Sequence, residues 1–261
     1  IHQAAFDAAR VDWVYTAFEI AAGRAADAIA AMRLLGLVGL SVTMPHKTDV
    51  ARLVDRLEPA ARSLDAVNTV SWDGQALVGS STDGAGFVAS LSEAGVSVEG
   101  ARVAVIGAGG AARSIIDALG RSGAADITVL NRTLDRAEQA ATLSPAASVG
   151  IVSDVTRADI VVNATSVGMG IDPDRAEVED MACNPALLRS DQVIADLVYH
   201  PLETAWMRAA ADLGATTVDG LGMLVHQAAL QQERWLGARP DTAPMRAAAV
   251  AELAARQNAP R

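Results

Sequence analysis

A two-domain α/β chain is predicted by three features of the sequence. Short β-rich apolar runs alternate with stretches of helical period, the alternation becomes regular from Ala101 onward, and the stretch from Leu221 to Gln257 has no strand signal and reads as two helices. At 261 residues and 51% hydrophobic, the chain can bury one large core or two small ones.

The elements follow in order. "DWVYTAFEI" predicts a strand and "RAADAIAAMRLLG" a helix closed by Gly36. "LVGLSVT" is the next strand, and "PHKTDVARLVDRL" a helix with Pro45 in its first turn. "AVNTVSW" and "QALVGS" read as two strands joined by a tight turn at Asp73-Gly74. "DGAGFVASLSEAG" is a helix leading into a new unit, where "RVAVIG", "DITVLNR", "DIVVNA", "QVIADLV" and "ATTVDG" are strands. "GGAARSIIDALGRSG", "LDRAEQAATL" and "PLETAWMRAAADLG" are the helices among them. The expected partition is residues 1–82 plus 221–261 in one domain and 83–220 in the other, with the terminal helices packing back on the first.

Composition narrows the function. The net charge is −10 with no basic block, which argues against DNA or RNA as a partner. A lone cysteine, Cys183, excludes an internal disulfide and fits a reducing cytoplasm. Four scattered histidines lack metal-ligand spacing, so no metal is expected; His46 and His200 are read as structural. Neither a membrane-spanning run nor a signal peptide is expected. A monomer and a homodimer both stay open.

"VAVIGAGGAARS" places Gly107, Ala108, Gly109, Gly110 and Ala111 after a strand and before a helix, in the G-x-G-x-x-[GA] pattern completed by Ala112. The first glycine permits a sharp turn, the second lets the backbone approach a pyrophosphate, and the small third residue permits close packing. This is the fingerprint of a Rossmann-type dinucleotide-binding domain. The second strand ends in "NRTLDRA", without the acid that an NAD site places against the ribose 2′-hydroxyl. Arg132 and Arg136 stand there instead and suit a 2′-phosphate, so NADP is expected over NAD. Two solvent-facing arginines are the plainer reading.

Twenty arginines and a single lysine make up the basic residues, and the lysine, Lys47, falls in the first turn of its predicted helix. The positive end of the helix dipole disfavours a cation there. The position is thus a poor choice for stability and a sensible one for an amine that must release a proton, which arginine cannot do. Asp83, in "SSTDGAGF", lies at a loop-to-helix junction. On spacing alone, a helix cap for Asp83 and an exposed surface residue for Lys47 remain the more economical readings.

Taken together, "SVTMPHK", "AVNTV", "STDGAGF", "IGAGGAARS", "NRTLDRA", "NATSVGM", "DLVYHPLET" and "DGLGMLVHQAA" resemble the shikimate dehydrogenase family, in family order and over nearly the whole chain. The resemblance implies an N-terminal α/β substrate domain beside the Rossmann-type domain, with a cleft between lobes. It implies a small-molecule substrate as partner, through reversible, NADPH-dependent reduction of 3-dehydroshikimate in aromatic amino-acid biosynthesis. Lys47 and Asp83 match the family's catalytic pair; Thr43, Asn68, Tyr199 and Gln227 match substrate-binding positions. Gly107 to Ala111, Asn131, Arg132, Thr133 and Arg136 match the cofactor loops, and Leu197 and Gly220 the nicotinamide pocket. Ser41 and Ser81 stand where the family usually has Asn. The family's S-x-S-P segment would fall immediately before "IHQ", and the natural chain is expected to carry it there. A quinate/shikimate or aminoshikimate-type dehydrogenase, and a non-catalytic NADP-binding sensor, remain alternatives.

Overall fold

A computed structural model describes residues 1–257. The chain divides into two compact units, residues 1–86 with 225–261, and residues 87–224. The sequence placed these boundaries at the starts of two helices. Both crossings fall a turn inside them, because α5 (Asp83–Glu93) and α9 (Gly220–Leu236) each continue unbroken from one unit into the next.

The first unit begins with α1 (His2–Ala8) and α2 (Ala25–Leu35), the latter closed by Gly36 in the left-handed region at φ 65°. β1 (Gly39–Ser41), α3 (Lys47–Ala51), β2 (Arg56–Leu57), α4 (Pro59–Leu64), β3 (Thr69–Asp73) and β4 (Ala76–Ser80) complete its first segment. The sheet runs β1-β3-β4-β2, with an antiparallel β3–β4 hairpin turning at Gly74 (φ 61°). Met32, Val50, Ala61, Val67, Val70 and Leu77 form its core. α10 (Ala243–Gln257) packs on α1, as expected for a terminal helix returning to the first unit.

The strand expected over "DWVYTAFEI" is not formed. Its period is right, but a strand exists only with a ladder partner, and among the described residues β1 pairs with β3 alone. The segment is tethered by side chains instead. Tyr15 stacks on His2, Trp13 meets Phe6 edge to face, the Tyr15 amide donates to Gln3 Oε1 at 3.0 Å, and Ile20 O lies 2.9 Å from His46 Nε2. His46 thus has a partner that the sequence did not reveal.

The second unit is a doubly wound parallel sheet. β5 (Arg102–Ile106), β6 (Asp126–Leu130), β7 (Ala147–Val149), β8 (Ile160–Asn163), β9 (Val193–Asp196) and β10 (Thr216–Val218) lie in the order β10-β9-β8-β5-β6-β7. α6 (Gly110–Arg121), α7 (Leu134–Ala141) and α8 (Ala205–Asp212) cover it. Consecutive strand residues point to opposite faces, so Val103, Val105 and Val162 enter one core, and Ala104, Ile106 and Val161 the other. That double burial explains the unbroken apolar runs. β2 and β7 were not expected; both are edge strands too short to show a period. The order reverses at β5, the switch point where open α/β sheets bind ligands beyond the strands' carboxyl ends.

Candidate active site

The first unit gathers five of the expected residues. Lys47 opens α3, and its Nζ donates to Asp83 Oδ2 at 2.7 Å. Their side chains are 30% and 15% exposed, enough shelter to strengthen the pair while leaving the amine reachable. Asp83 is the first residue of α5, where the helix N-terminus favours a carboxylate. Its other oxygen, Oδ1, accepts from Asn68 Nδ2 at 2.8 Å. Both carboxylate oxygens are therefore held, one by the amine and one by a buried amide.

Asn68 is in turn fixed from all sides. Its Oδ1 accepts from the Thr82 amide at 2.9 Å and the Thr69 hydroxyl at 2.7 Å, and its carbonyl accepts from Gln231 Nε2 at 3.1 Å. Its Nδ2 also reaches Gln227 Oε1 at a longer 3.4 Å. Gln227 is brought close by Gly86, where an added Cβ would lie 2.6 Å from the Gln227 amide nitrogen. Only glycine allows α5 and α9 to approach that far. Thr43 is exposed in the loop between β1 and α3, its carbonyl accepting from the His46 amide at 3.0 Å. Thr82, Gly86 and Gln231 support this cluster and were missed in the sequence; "STDGAG" held the signal for the first two.

The second unit carries the residues expected at the cofactor and Tyr199, which is 38% exposed after β9. Gly107 follows β5 at φ 117°, and a Cβ there would sit 2.9 Å from Ala164 O. Side-chain-bearing residues avoid that region, so the turn requires glycine. Gly109, extended, precedes α6, whose first turn holds no acidic residue. A Cβ at Gly109 or Gly110 would meet nothing within 4 Å. The open space lies where helix N–H groups face outward, which fits a pyrophosphate. Ala112 is fully buried, as the fingerprint's third position requires.

Asn131 Nδ2 donates to Thr133 O at 2.9 Å, shaping the turn before α7. Arg132 and Arg136 are exposed and, among the described residues, form no ion pair, whereas Arg33, Arg56, Arg102, Arg121, Arg157 and Arg208 all do. Two unpaired guanidiniums, one just before α7 and one in its first turn, suit an anionic ligand. Leu197 and Gly220 are brought together: a Cβ on Gly220 would lie 2.3 Å from Leu197 O. Cys183 is buried in the core, where burial pushes its thiol up to about 11. No group of histidine, cysteine and carboxylate side chains able to hold a metal occurs among the described residues.

Fold and site together define an α/β dinucleotide-binding protein with a lysine–carboxylate pair in its other unit. Family models for the shikimate dehydrogenase substrate-binding domain (residues 1–70), shikimate/quinate 5-dehydrogenase (90–198) and the shikimate 5′-dehydrogenase C-terminal domain (220–250) match the chain. A shikimate dehydrogenase (NADP(+)) of Symbiobacterium thermophilum is 41% identical over 97% of this chain and 89% of its own length. The chain belongs to the shikimate dehydrogenase family. Among solved structures, a 5-ketofructose reductase of Gluconobacter sp. strain CHM43 is 37% identical, covering 94% and 90% of the two chains at TM-score 0.86. A shikimate dehydrogenase in complex with NADP+ is 32% identical, covering 97% and 89% at TM-score 0.89.

Proposed function

We propose that this chain is an NADP-dependent shikimate dehydrogenase, reversibly reducing 3-dehydroshikimate to shikimate. The observation that carries the reading is the 2.7 Å bond from the only lysine to a carboxylate locked by Asn68. When bound, NADPH supplies the hydride. The rest falls to the protein. In reduction, the Lys47 ammonium gives its proton to the oxygen of the forming alcohol and is left a neutral amine; in oxidation it takes that proton back. Asp83 orients the amine through their 2.7 Å hydrogen bond. Thr43, Asn68, Tyr199 and Gln227 bind the ring hydroxyls and oxygens, since a site built on such bonds rejects an analogue lacking them. The backbone from Gly107 to Ala111 holds the pyrophosphate, with Asn131, Arg132, Thr133 and Arg136 at the 2′-phosphate and Leu197 and Gly220 beside the nicotinamide.

A second reading, reduction of 5-ketofructose, has two observations behind it. The 5-ketofructose reductase is the nearer of the two solved structures in identity, and Ser41 and Ser81 shorten two side chains that the family usually carries as Asn. Absorbance at the reduced-nicotinamide band separates the readings. NADP+ with shikimate is expected to give the fastest change among shikimate, quinate and either oxidised cofactor. Faster turnover of quinate with NAD+ would indicate the catabolic type. NADPH consumption with 5-ketofructose but not with 3-dehydroshikimate would favour the second reading. Cofactor binding without any turnover would leave only a sensor.

A further inference from the structure

The second unit contains a buried carboxylate that the proposed chemistry does not use. Asp196 ends β9 and is 1% exposed. Its Oδ1 accepts from Asn163 Nδ2 at 2.9 Å and from the Val198 amide at 3.0 Å, while Oδ2 accepts from the Thr204 hydroxyl at 2.8 Å. Each donor belongs to a different piece of chain. Asn163 ends β8, and its Oδ1 accepts from the Thr165 amide (3.1 Å) and hydroxyl (2.7 Å) while its Nδ2 also reaches Val167 O at 3.2 Å. Thr204 caps α8 through the Met207 amide at 3.2 Å. Val198 stands between Leu197 and Tyr199.

Of the two loops so joined, the one after β8 lies against the glycine turn and the one after β9 against the start of α9. Ala164 and Thr165 are the atoms against which Gly107 presses, and Leu197 O is the atom against which Gly220 presses. We propose that Asp196 is a positioning residue: its carboxylate clasps the chain after β8, the chain after β9 and the start of α8 into one hub. The hub holds Leu197 and Tyr199 in register with the glycine turn. This rests on the cofactor and substrate assignments made under Proposed function. Among the described residues no cation pairs with Asp196; all three hydrogen-bond partners are neutral donors, so the clasp works through hydrogen bonds and shape.

The test compares Asp196→Ala, Asp196→Asn and Thr204→Val at a temperature where circular dichroism shows each folded. Removing the carboxylate strands three buried donors, so NADP+ should bind at least about tenfold more weakly to Asp196→Ala, with the KM for shikimate raised more than kcat is lowered. Asparagine keeps an oxygen for Asn163 and Val198 and turns an N–H toward the Thr204 hydroxyl, which can accept it; Asp196→Asn should recover to within about threefold. Should Asp196→Ala fail to fold, Thr204→Val removes one arm alone and should weaken NADP+ binding about threefold or more. Hydrogen exchange on the unliganded protein should show lost protection at both 163–169 and 197–203 in the Ala or Val variant. Unchanged NADP+ affinity, unchanged exchange at either loop, or an Asn variant as impaired as Ala would each overturn the proposal. Wild type that fails to bind NADP+ would instead defeat the cofactor assignment, and the exchange pattern would still judge the clasp.

Discussion

The two units build their sites from different materials. In the first, the proposed chemistry rests on side chains: an amine, a carboxylate and two amides, joined by hydrogen bonds. In the second, the cofactor turn is carried by backbone, and glycines decide where atoms must be missing. A site of side chains fails when a functional group is removed. A site of backbone fails when atoms are added. The two carboxylates show the same contrast. Asp83 is partly exposed and answers a cation, whereas Asp196 is buried among neutral donors and burial pushes it up to about 6.

The sharpest way to break the comparison is to delete a side chain from the first site. Lys47→Ala should cut turnover on the order of 10³-fold, within the range that general acid–base catalysis contributes. Its NADP+ affinity should stay within about threefold, because the nucleotide contacts are not made by that side chain; steady-state kinetics and a binding titration together check this.

Burial gives Asp196 a response to pH that can be measured by itself. A folded value raised from 3.8 to about 6 means that Asp196 contributes stability fully below its unfolded value and loses it as pH rises through 6. Asp196→Asn has no such titration. Denaturant unfolding should therefore show it gaining on wild type by up to about 3 kcal/mol between pH 4 and pH 7. His2 works in the other direction: burial pushes it down to about 4, so its contribution is lost as pH falls from 6.5. Only the difference between the two proteins isolates Asp196. A difference that does not vary with pH would remove the contrast between the carboxylates.

Adding an atom to the backbone site is the gentler probe. Gly109→Ala should leave the melting temperature within a degree or two, since the new methyl meets no protein atom and Gly109 is already extended. NADP+ affinity should nevertheless fall about tenfold, because the methyl occupies the approach of the pyrophosphate. Unchanged affinity would mean that this backbone does not meet the cofactor.

The parts of this molecule legible in sequence are those whose signal is local. The β5–α6–β6 unit declared itself through a glycine turn between an apolar run and an amphipathic helix. Lys47 stood out by composition alone. Its partner, 36 residues away, was reachable only through family resemblance, because spacing says nothing about which loops meet. The strand expected at 12–20 failed for the same reason, since a β ladder is a tertiary property and periodicity supplies only one side of it. Asp196 was hidden more deeply. The expected strand "QVIADLV" contains it, but nothing in that run tells that the fold buries its carboxylate against Asn163 and Thr204. Gly86 likewise looked like an ordinary glycine, and only the approach of Gln227 gives it a purpose.

Turnover of Lys47→Arg decides most directly whether the single lysine is there to move a proton. Arginine can preserve the charge facing Asp83 and some of its hydrogen bonding, yet it stays protonated at any working pH. The account predicts shikimate oxidation as slow as in Lys47→Ala, with NADP+ binding kept. Activity within about tenfold of wild type would contradict it, for then a fixed positive charge would be enough.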